Sequence, residues 1–249
     1  MIVPLCIAGL LAFAPPAKTD DVKAKEAKAA KQIRAAGGRV YYRRGRLSNV
    51  SWNKTKVTNK QLRLIANLSR LTDLSLEQTA ISDAGMKHLV KLQRLEWLNL
   101  YKTKVGDLGL KSIGKLKRLQ HLPIGNAKVT DAGLVHLKPL KQLKYLGLRG
   151  NAITDRGVRH ILPLGNLEGL YLGGTKITDK ATKNLHRLKK LKRLWLTESP
   201  ISDKAIPHLI KIKSLRQLYV IKTKISAAGI RRIEKDLPAC RVISKLVNP

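Results

Sequence analysis

Apolar side chains return along this chain with one period. Leucine recurs at Leu47, Leu71, Leu95, Leu119, Leu143, Leu167, Leu191 and Leu215, each step 24 residues. Taking that leucine as position 1 of a unit, position 4 holds Val50, Leu74, Leu98, Leu122, Leu146, Leu170, Leu194 and Leu218. Position 6 holds Trp52, Leu76, Leu100, Ile124, Leu148, Leu172, Leu196 and Val220. Apolar residues two apart mark a short strand with one buried face. Position 11 is Val or Ile in every unit, from Val57 to Ile225. Positions 16, 19 and 22 are mostly apolar, as in Leu110, Ile113 and Leu116, a spacing that fits one face of a short helix. One strand and one helix cannot bury their apolar side alone, whereas stacked neighbours can. The pattern predicts one parallel sheet that advances about 4.8 Å per unit. Helices are wider than strands, so the stack bends with the sheet inside. Positions 3, 5, 7 and 8 then face the concave side.

Polar positions repeat too. A Ser/Thr–Asp pair stands between strand and helix, at Ser82–Asp83, Thr130–Asp131, Thr154–Asp155, Thr178–Asp179 and Ser202–Asp203, with Gly106–Asp107 in the third unit. Either member can cap the helix start, and the Asp also faces the positive end of the helix dipole. Position 9 carries small oxygen-bearing side chains, such as Thr79, Thr103 and Asn151, suited to bonding the turn after the strand.

The pattern LxxLxLxxT, followed by I-T-D-x-G-L and a second leucine set, resembles the leucine-rich-repeat family over about residues 47–243. The bacterial and cysteine-containing types, with a true helix on the convex side, are the most similar. The resemblance implies an α/β fold: a right-handed solenoid bent into a horseshoe or arc, with a parallel sheet inside and helices outside. It also implies use as a binding surface, usually for proteins.

The flanks fit such a stack. Residues 1–17 carry no charged side chain and hold an apolar run from Ile2 to Ala14. That run is short for a bilayer span. It matches the apolar core of a secretory leader, with Ala12-Phe13-Ala14 as the cleavage site. No Lys or Arg precedes it, Pro15 follows the cut, and the lysines from Lys18 to Lys31 resist export. Export to the periplasm, cell envelope or medium is the expectation, with a cytoplasmic location as the alternative and no transmembrane span. Residues 18–46 predict a cap: an Ala/Lys-rich helix over 20–36, a stop at Gly37–Gly38, and a strand from Arg39 to Arg43 that turns at Gly45. A nucleic-acid arm is the other reading of that basic helix. The eight repeats run over 47–238. Residues 239–249 predict a closing strand from Cys240 to Ile243 and a tail. Cys6 leaves with the leader and Cys240 stays alone, so there is no disulfide framework.

Charge changes the picture more than composition does. Lys and Arg number 50 against 16 Asp and Glu, a net +34. Six of the ten Asp are the position-13 residues. Positions 14–24, the convex side, hold 25 bases against Glu234 and Asp236. Position 10 adds a line of lysines along one edge: Lys56, Lys104, Lys128, Lys176 and Lys224. Such a field attracts polyanions: nucleic acid, acidic polysaccharide or anionic membrane. It also suits a solvated back face.

Aromatics are few, and six fall on concave positions. Trp97, His121 and Tyr145 occupy position 3 of consecutive units; Tyr171, Trp195 and Tyr219 occupy position 5. Tyr101 stands at position 7. Gly125, Gly147, Gly169, Gly173 and Gly174 lie between them, which predicts a shallow trough with aromatic walls. Arg149 offers it a planar charge. Trp97, Tyr101, His121, Tyr145, Arg149, Tyr171, Trp195 and Tyr219 form the candidate binding set, for a protein or peptide first and a glycan or stacked base second. Rings that only pack on one another are the bland alternative. Pro123 inside a strand predicts a local bulge or simple repeat decay. His88, His136, His160 and His208 share position 18, but helices about 8–10 Å apart cannot bring imidazoles around one zinc. They are expected as exposed helix residues, and no metal is expected. No hydrolase elbow, zinc-protease helix, phosphate-binding loop or paired-carboxylate motif appears, so no catalysis and no cofactor are expected. The substrate-receptor half of F-box proteins is a further analogy, although no F-box-length segment precedes the repeats.

Overall fold

The computed structural model describes residues 19–245. The apolar leader with Cys6 and the last tail residues lie outside the described residues. Helix α1 spans Thr19–Ala35, and the chain leaves it through Gly37 at φ 76. Strands β1 (Arg39–Arg43) and β2 (Arg46–Ser51) form an antiparallel hairpin over Arg44 and Gly45, both left-handed. Then come β3 (Asp73–Ser75), β4 (Trp97–Asn99), β5 (His121–Pro123), β6 (Tyr145–Gly147), β7 (Gly169–Tyr171), β8 (Arg193–Trp195), β9 (Gln217–Tyr219) and β10 (Arg241–Ile243). The ten strands make one sheet in chain order, parallel from β2 onward. Partners lie one repeat apart, as Leu74↔Leu98 and Leu170↔Leu194 show.

The convex side carries α2 (Asp83–Met86), α3 (Asp107–Ile113), α4 (Asp131–Leu134), α5 (Asp155–Ile161), α6 (Asp179–Thr182), α7 (Ile206–Leu209) and α8 (Ala227–Asp236). The helical side is not uniform. The first unit has only a 3-10 turn, Gln61–Leu64, and four others mix a four-residue helix with a 3-10 turn. A 3-10 turn rises about 2.0 Å per residue, so it crosses the repeat with fewer residues. The apolar positions close one continuous core, and the position-1 leucines are 0–1% exposed.

Two side-chain ladders tie units together. Each position-13 Asp accepts from the next unit's position-12 residue. Its Oδ1 takes the backbone N–H of Gly106, Thr130, Thr154, Thr178, Ser202 and Ser226 at 2.6–2.8 Å. Its Oδ2 takes the hydroxyl of Thr130, Thr154, Thr178, Ser202 and Ser226 at 2.5–2.7 Å. The Asp is therefore an inter-unit strap. The helix cap is its neighbour: Thr130, Thr154, Thr178, Ser202 and Ser226 accept from helix N–H groups. The strap explains a glycine two residues on: a Cβ at Gly133 or Gly157 would stand about 2 Å from the preceding unit's Asp Oδ1.

At position 9, Thr55, Thr79, Thr103, Thr175, Ser199 and Thr223 donate to the carbonyl three residues back. Ala127 cannot. Asn151 of the next unit substitutes: its Oδ1 accepts from Ala127 N and Val129 N, and its Nδ2 donates to the Ile124 carbonyl. Pro123 produces no bulge. Its missing N–H reduces the β4–β5 ladder to the single pair Trp97↔His121, while β5–β6 keeps three pairs in register.

The two ends are closed differently. α1 buries Ala29, Ala30 and Ile33 over the first unit and holds Trp52 at 0% exposure. Glu26 grips Arg46 through three hydrogen bonds of 2.7–3.1 Å and accepts from Leu47 N. At the far end α8 buries Ile233, followed by Leu237 and Cys240, and β10 completes the sheet. Burial pushes the Cys240 thiol up to about 11, which keeps it protonated and unreactive at neutral pH.

Candidate concave binding face

The position-3 and position-5 aromatics are not two rows but one. His121 and Tyr145 lie 6.4 Å apart at 28°, Tyr145 meets Tyr171 edge-on at 4.8 Å, Tyr171 stacks on Trp195 at 3.4 Å, and Trp195 on Tyr219 at 4.7 Å. Tyr145 makes the join. Its ring leans across Gly147 and Gly169, where an added Cβ would come within 3.2 Å of its Oη and 3.1 Å of its Cδ2. The expected open trough is thereby filled: the glycines form the bed on which Tyr145 lies. Tyr101 covers Gly125 in the same way. Its hydroxyl accepts from Asn126 Nδ2 at 2.9 Å, and the Lys102 ammonium stands 5.5 Å from its ring centre.

Trp97 stays out of the row. It shares a cavity of about 410 Å³ with Tyr41, Asn49, Asp73 and Ser75 at the first units. Tyr41, 52% exposed on β1, is a face residue that repeat arithmetic misses because it precedes the first unit. The hairpin register Tyr41↔Asn49 is the signal that brings it there.

Arg149 is engaged in an ion pair through one nitrogen. Its Nη2 lies 3.2 Å from Glu198 Oε2, two units away, and Lys222 reaches the other Glu198 oxygen at 3.3 Å. Lys192 pairs with Glu168 at 2.9 Å. These ion pairs flank the rings. The Lys222 hydrogen bond and then the Arg149 charge hold the Glu198 carboxyl below its ordinary range. The Lys192 hydrogen bond does the same for Glu168. Burial raises Tyr145, with Tyr171 beside it, and raises Tyr171 also, so both phenols stay neutral. Burial and then Lys144 lower His121, favouring neutral imidazole.

The edge lysines Lys56, Lys104, Lys128, Lys176 and Lys224 are all exposed, and none is in an ion pair among the described residues. His88, His136, His160 and His208 are half-buried rather than exposed, because position 18 sits in the crevice beside the buried position 19. Among the described residues no three metal-ligating side chains converge, and no helix is long and apolar enough to cross a membrane.

A family model described as a leucine-rich repeat matches residues 141–162. A Listeria monocytogenes internalin structure (inlF) is 26% identical at a TM-score of 0.65, covering 80% of this chain and 54% of its own. The chain thus spans about half the length of that relative. A second internalin from the same bacterium, C2, is 22% identical at a TM-score of 0.65, covering 89% and 92%. The ectodomain of the Arabidopsis thaliana receptor kinase GASSHO1/SCHENGEN3 is 14% identical at a TM-score of 0.55, covering 82% and 24%. No protein of curated function matches the chain. Stacked 24-residue units in this strand, strap and helix order, with the repeat model on residues 141–162, give the chain the leucine-rich-repeat fold that these neighbours share.

Proposed function

We propose that the chain is a binding scaffold whose concave aromatic row recognises a protein partner. The observation that carries this reading is the unbroken run Tyr145–Tyr171–Trp195–Tyr219 across four adjacent strands. Each ring is half-buried and packs against at least one neighbouring ring. Such a rail is already ordered, so a partner need not immobilise it. Tyr and Trp in this setting are the residue types that dominate protein hot spots. The ion pairs beside it supply a polar rim. The Arabidopsis ectodomain was solved in complex with Casparian strip integrity factor 2, which supports partner binding as the use of such an array. No metal, cofactor or catalytic step enters this reading.

Capture by the immobilised full chain, repeated with Trp195→Ala, tests it. The partner should survive high salt and lose at least about tenfold in affinity in the variant, roughly 1.4 kcal/mol. Equal capture by both proteins overturns it.

The five edge lysines, in no ion pair among the described residues, favour a second reading, attachment to a polyanion. Log affinity would then fall linearly with log salt, and replacing Lys104 and Lys128 by Gln would flatten the slope. Export belongs with either reading; the apolar run from Ile2 to Ala14 supports it, and mass spectrometry of the N-terminus decides it.

A further inference from the structure

At the start of the sheet, on the edge opposite the lysine line, Arg43, Arg44, Arg46, Arg70 and Arg94 surround a recess of about 220 Å³. Three come from the β1–β2 hairpin, and two are position 24 of the first two units. All five cations are arginine, although the chain holds 32 Lys against 18 Arg. Only Arg46 is in an ion pair among the described residues, with Glu26. That pair occupies Nε and Nη2 and leaves Nη1 unused. The hydroxyls of Ser48 and Thr72 in the wall donate to Asn49 and Asp73, so the donors left for a ligand are guanidinium groups. Arg44 is held at φ 51, in the left-handed region. The recess is smaller than the roughly 300–1,000 Å³ of drug-sized ligand pockets, so it suits one group rather than a whole molecule.

We propose that this recess binds a phosphate-monoester group. Guanidinium forks match tetrahedral oxyanions two bonds at a time, which ammonium groups do not. A monoester carries about 1.5–2 negative charges at neutral pH, enough to engage several arginines, whereas a sulfate ester carries one. The site is separate from the aromatic row and from the edge lysines, so it stands whatever those bind.

The test is calorimetry on the full chain at near-physiological salt with phenyl phosphate, and with phenyl sulfate as the singly charged control. Saturable binding of one phenyl phosphate is expected, with phenyl sulfate weaker. The charge-conserving double variant Arg70→Lys/Arg94→Lys should lose about tenfold in affinity, the scale of one lost bidentate contact. Lys104→Gln/Lys128→Gln, which removes two charges elsewhere, should stay within about twofold. No saturable binding at millimolar probe, phenyl sulfate binding as tightly, or unchanged affinity in Arg70→Lys/Arg94→Lys each overturns the proposal. If Arg70→Lys/Arg94→Lys melts early, Arg43→Lys on the exposed hairpin serves in its place. Co-sedimentation with phosphatidic acid vesicles identifies the carrier: loss in the arginine variant assigns the monoester to a lipid, and retention assigns it to a soluble molecule.

Discussion

Position 5 of the concave face is Ser51, Ser75 and Asn99 in β2 to β4, and Tyr171, Trp195 and Tyr219 in β7 to β9. In the first group strands are linked across the face by hydrogen bonds: Ser75 Oγ and Glu77 N donate to Asn53 Oδ1, and Asn99 Nδ2 to Glu77 Oε2. In the second group the link is ring against ring. The framework beneath is alike in both halves, with apolar residues buried at the same positions and a strap at position 13, which is Asn59 in the first unit and Asp in the next six. A solenoid unit meets only its neighbours, so the face can change chemistry while the core does not. The polar half keeps an open cavity between Tyr41 and Trp97; the aromatic half is a filled rail.

The sharpest way to break this comparison is to remove the closure of the polar half alone. Glu26 is 5% exposed and holds both Arg46 and Leu47 N. Glu26→Ala should cost about 3 kcal/mol, the low end for a broken buried pair because Arg46 can still reach water. Hydrogen exchange should quicken in β1 and β2 and stay slow in β7 to β9; equal loss everywhere would mean that the halves unfold as one. The pair also sets an acid limit. Burial alone would raise the Glu26 carboxyl, but Arg46 and Leu47 N outweigh it and the net shift is down. A carboxyl lower when folded than unfolded adds stability in full above its unfolded value, about 4.3, and loses it as pH falls through the folded value. Protection of β1 and β2 should therefore fall first in acid, and Glu26→Ala should abolish that dependence.

Next in size is the strap between the halves. Asp131 binds both the N–H and the hydroxyl of Thr154. Asp131→Ala should cost about 2 kcal/mol, since a half-buried N–H loses its acceptor. Denaturation of this variant should separate into two steps if the strap couples the halves. Gly157 gives a stricter control: its added Cβ would stand 2.1 Å from Asp131 Oδ1. Gly157→Ala should be costly in the native chain and much less so beside Asp131→Ala, a double-mutant cycle that additive behaviour would refute.

A smaller effect comes from making the aromatic half resemble the polar one. Tyr171→Ser removes a 3.4 Å stack on Trp195 and the edge contact to Tyr145. Stability should fall by about 1 kcal/mol, the scale of one aromatic pair. Trp195 emission should move to the red, while Trp52 is buried elsewhere and Trp97 lies outside the row. An unshifted spectrum would mean that the ring is held by something other than its neighbours.

The period made the sheet, the order of strands and the buried leucines legible from Leu47 to Ile243. The pairing of Leu74 with Leu98 follows from it, and so does the placing of Trp195 beside Tyr219. What escaped it depends on contacts between units. Asp131 reads as a helix-start residue because its real partner, Thr154, is 23 residues away. Tyr145 and Tyr171 occupy different positions of the repeat, and only the missing Cβ atoms of Gly147 and Gly169 let one ring reach the other. The pairing of Arg149 with Glu198, two units on, is likewise invisible in the repeat. The arginine recess joins a hairpin outside the repeats to two residues inside them.

Position 8 was hidden for another reason, and it carries the smallest prediction. Lys54, Gln78, Lys102, Asn126, Gly150, Gly174, Glu198 and Lys222 all have φ between 49 and 69. Every unit thus turns through the left-handed region just after its strand, where glycine is at ease and a side chain is strained. The polar half meets this with Lys54, Gln78 and Lys102, whereas the middle units use Gly150 and Gly174. Lys54→Gly should raise stability by about 0.5 kcal/mol, the relieved strain being partly offset by the greater freedom of glycine in the unfolded chain. Gly174→Ala should lower it by about 1 kcal/mol, as its added Cβ meets nothing closer than 3.7 Å and only the backbone objects. Melting of the two variants side by side measures both signs. A Lys54→Gly variant less stable than the native chain would mean that the Lys54 side chain makes a contact worth more than the strain it imposes.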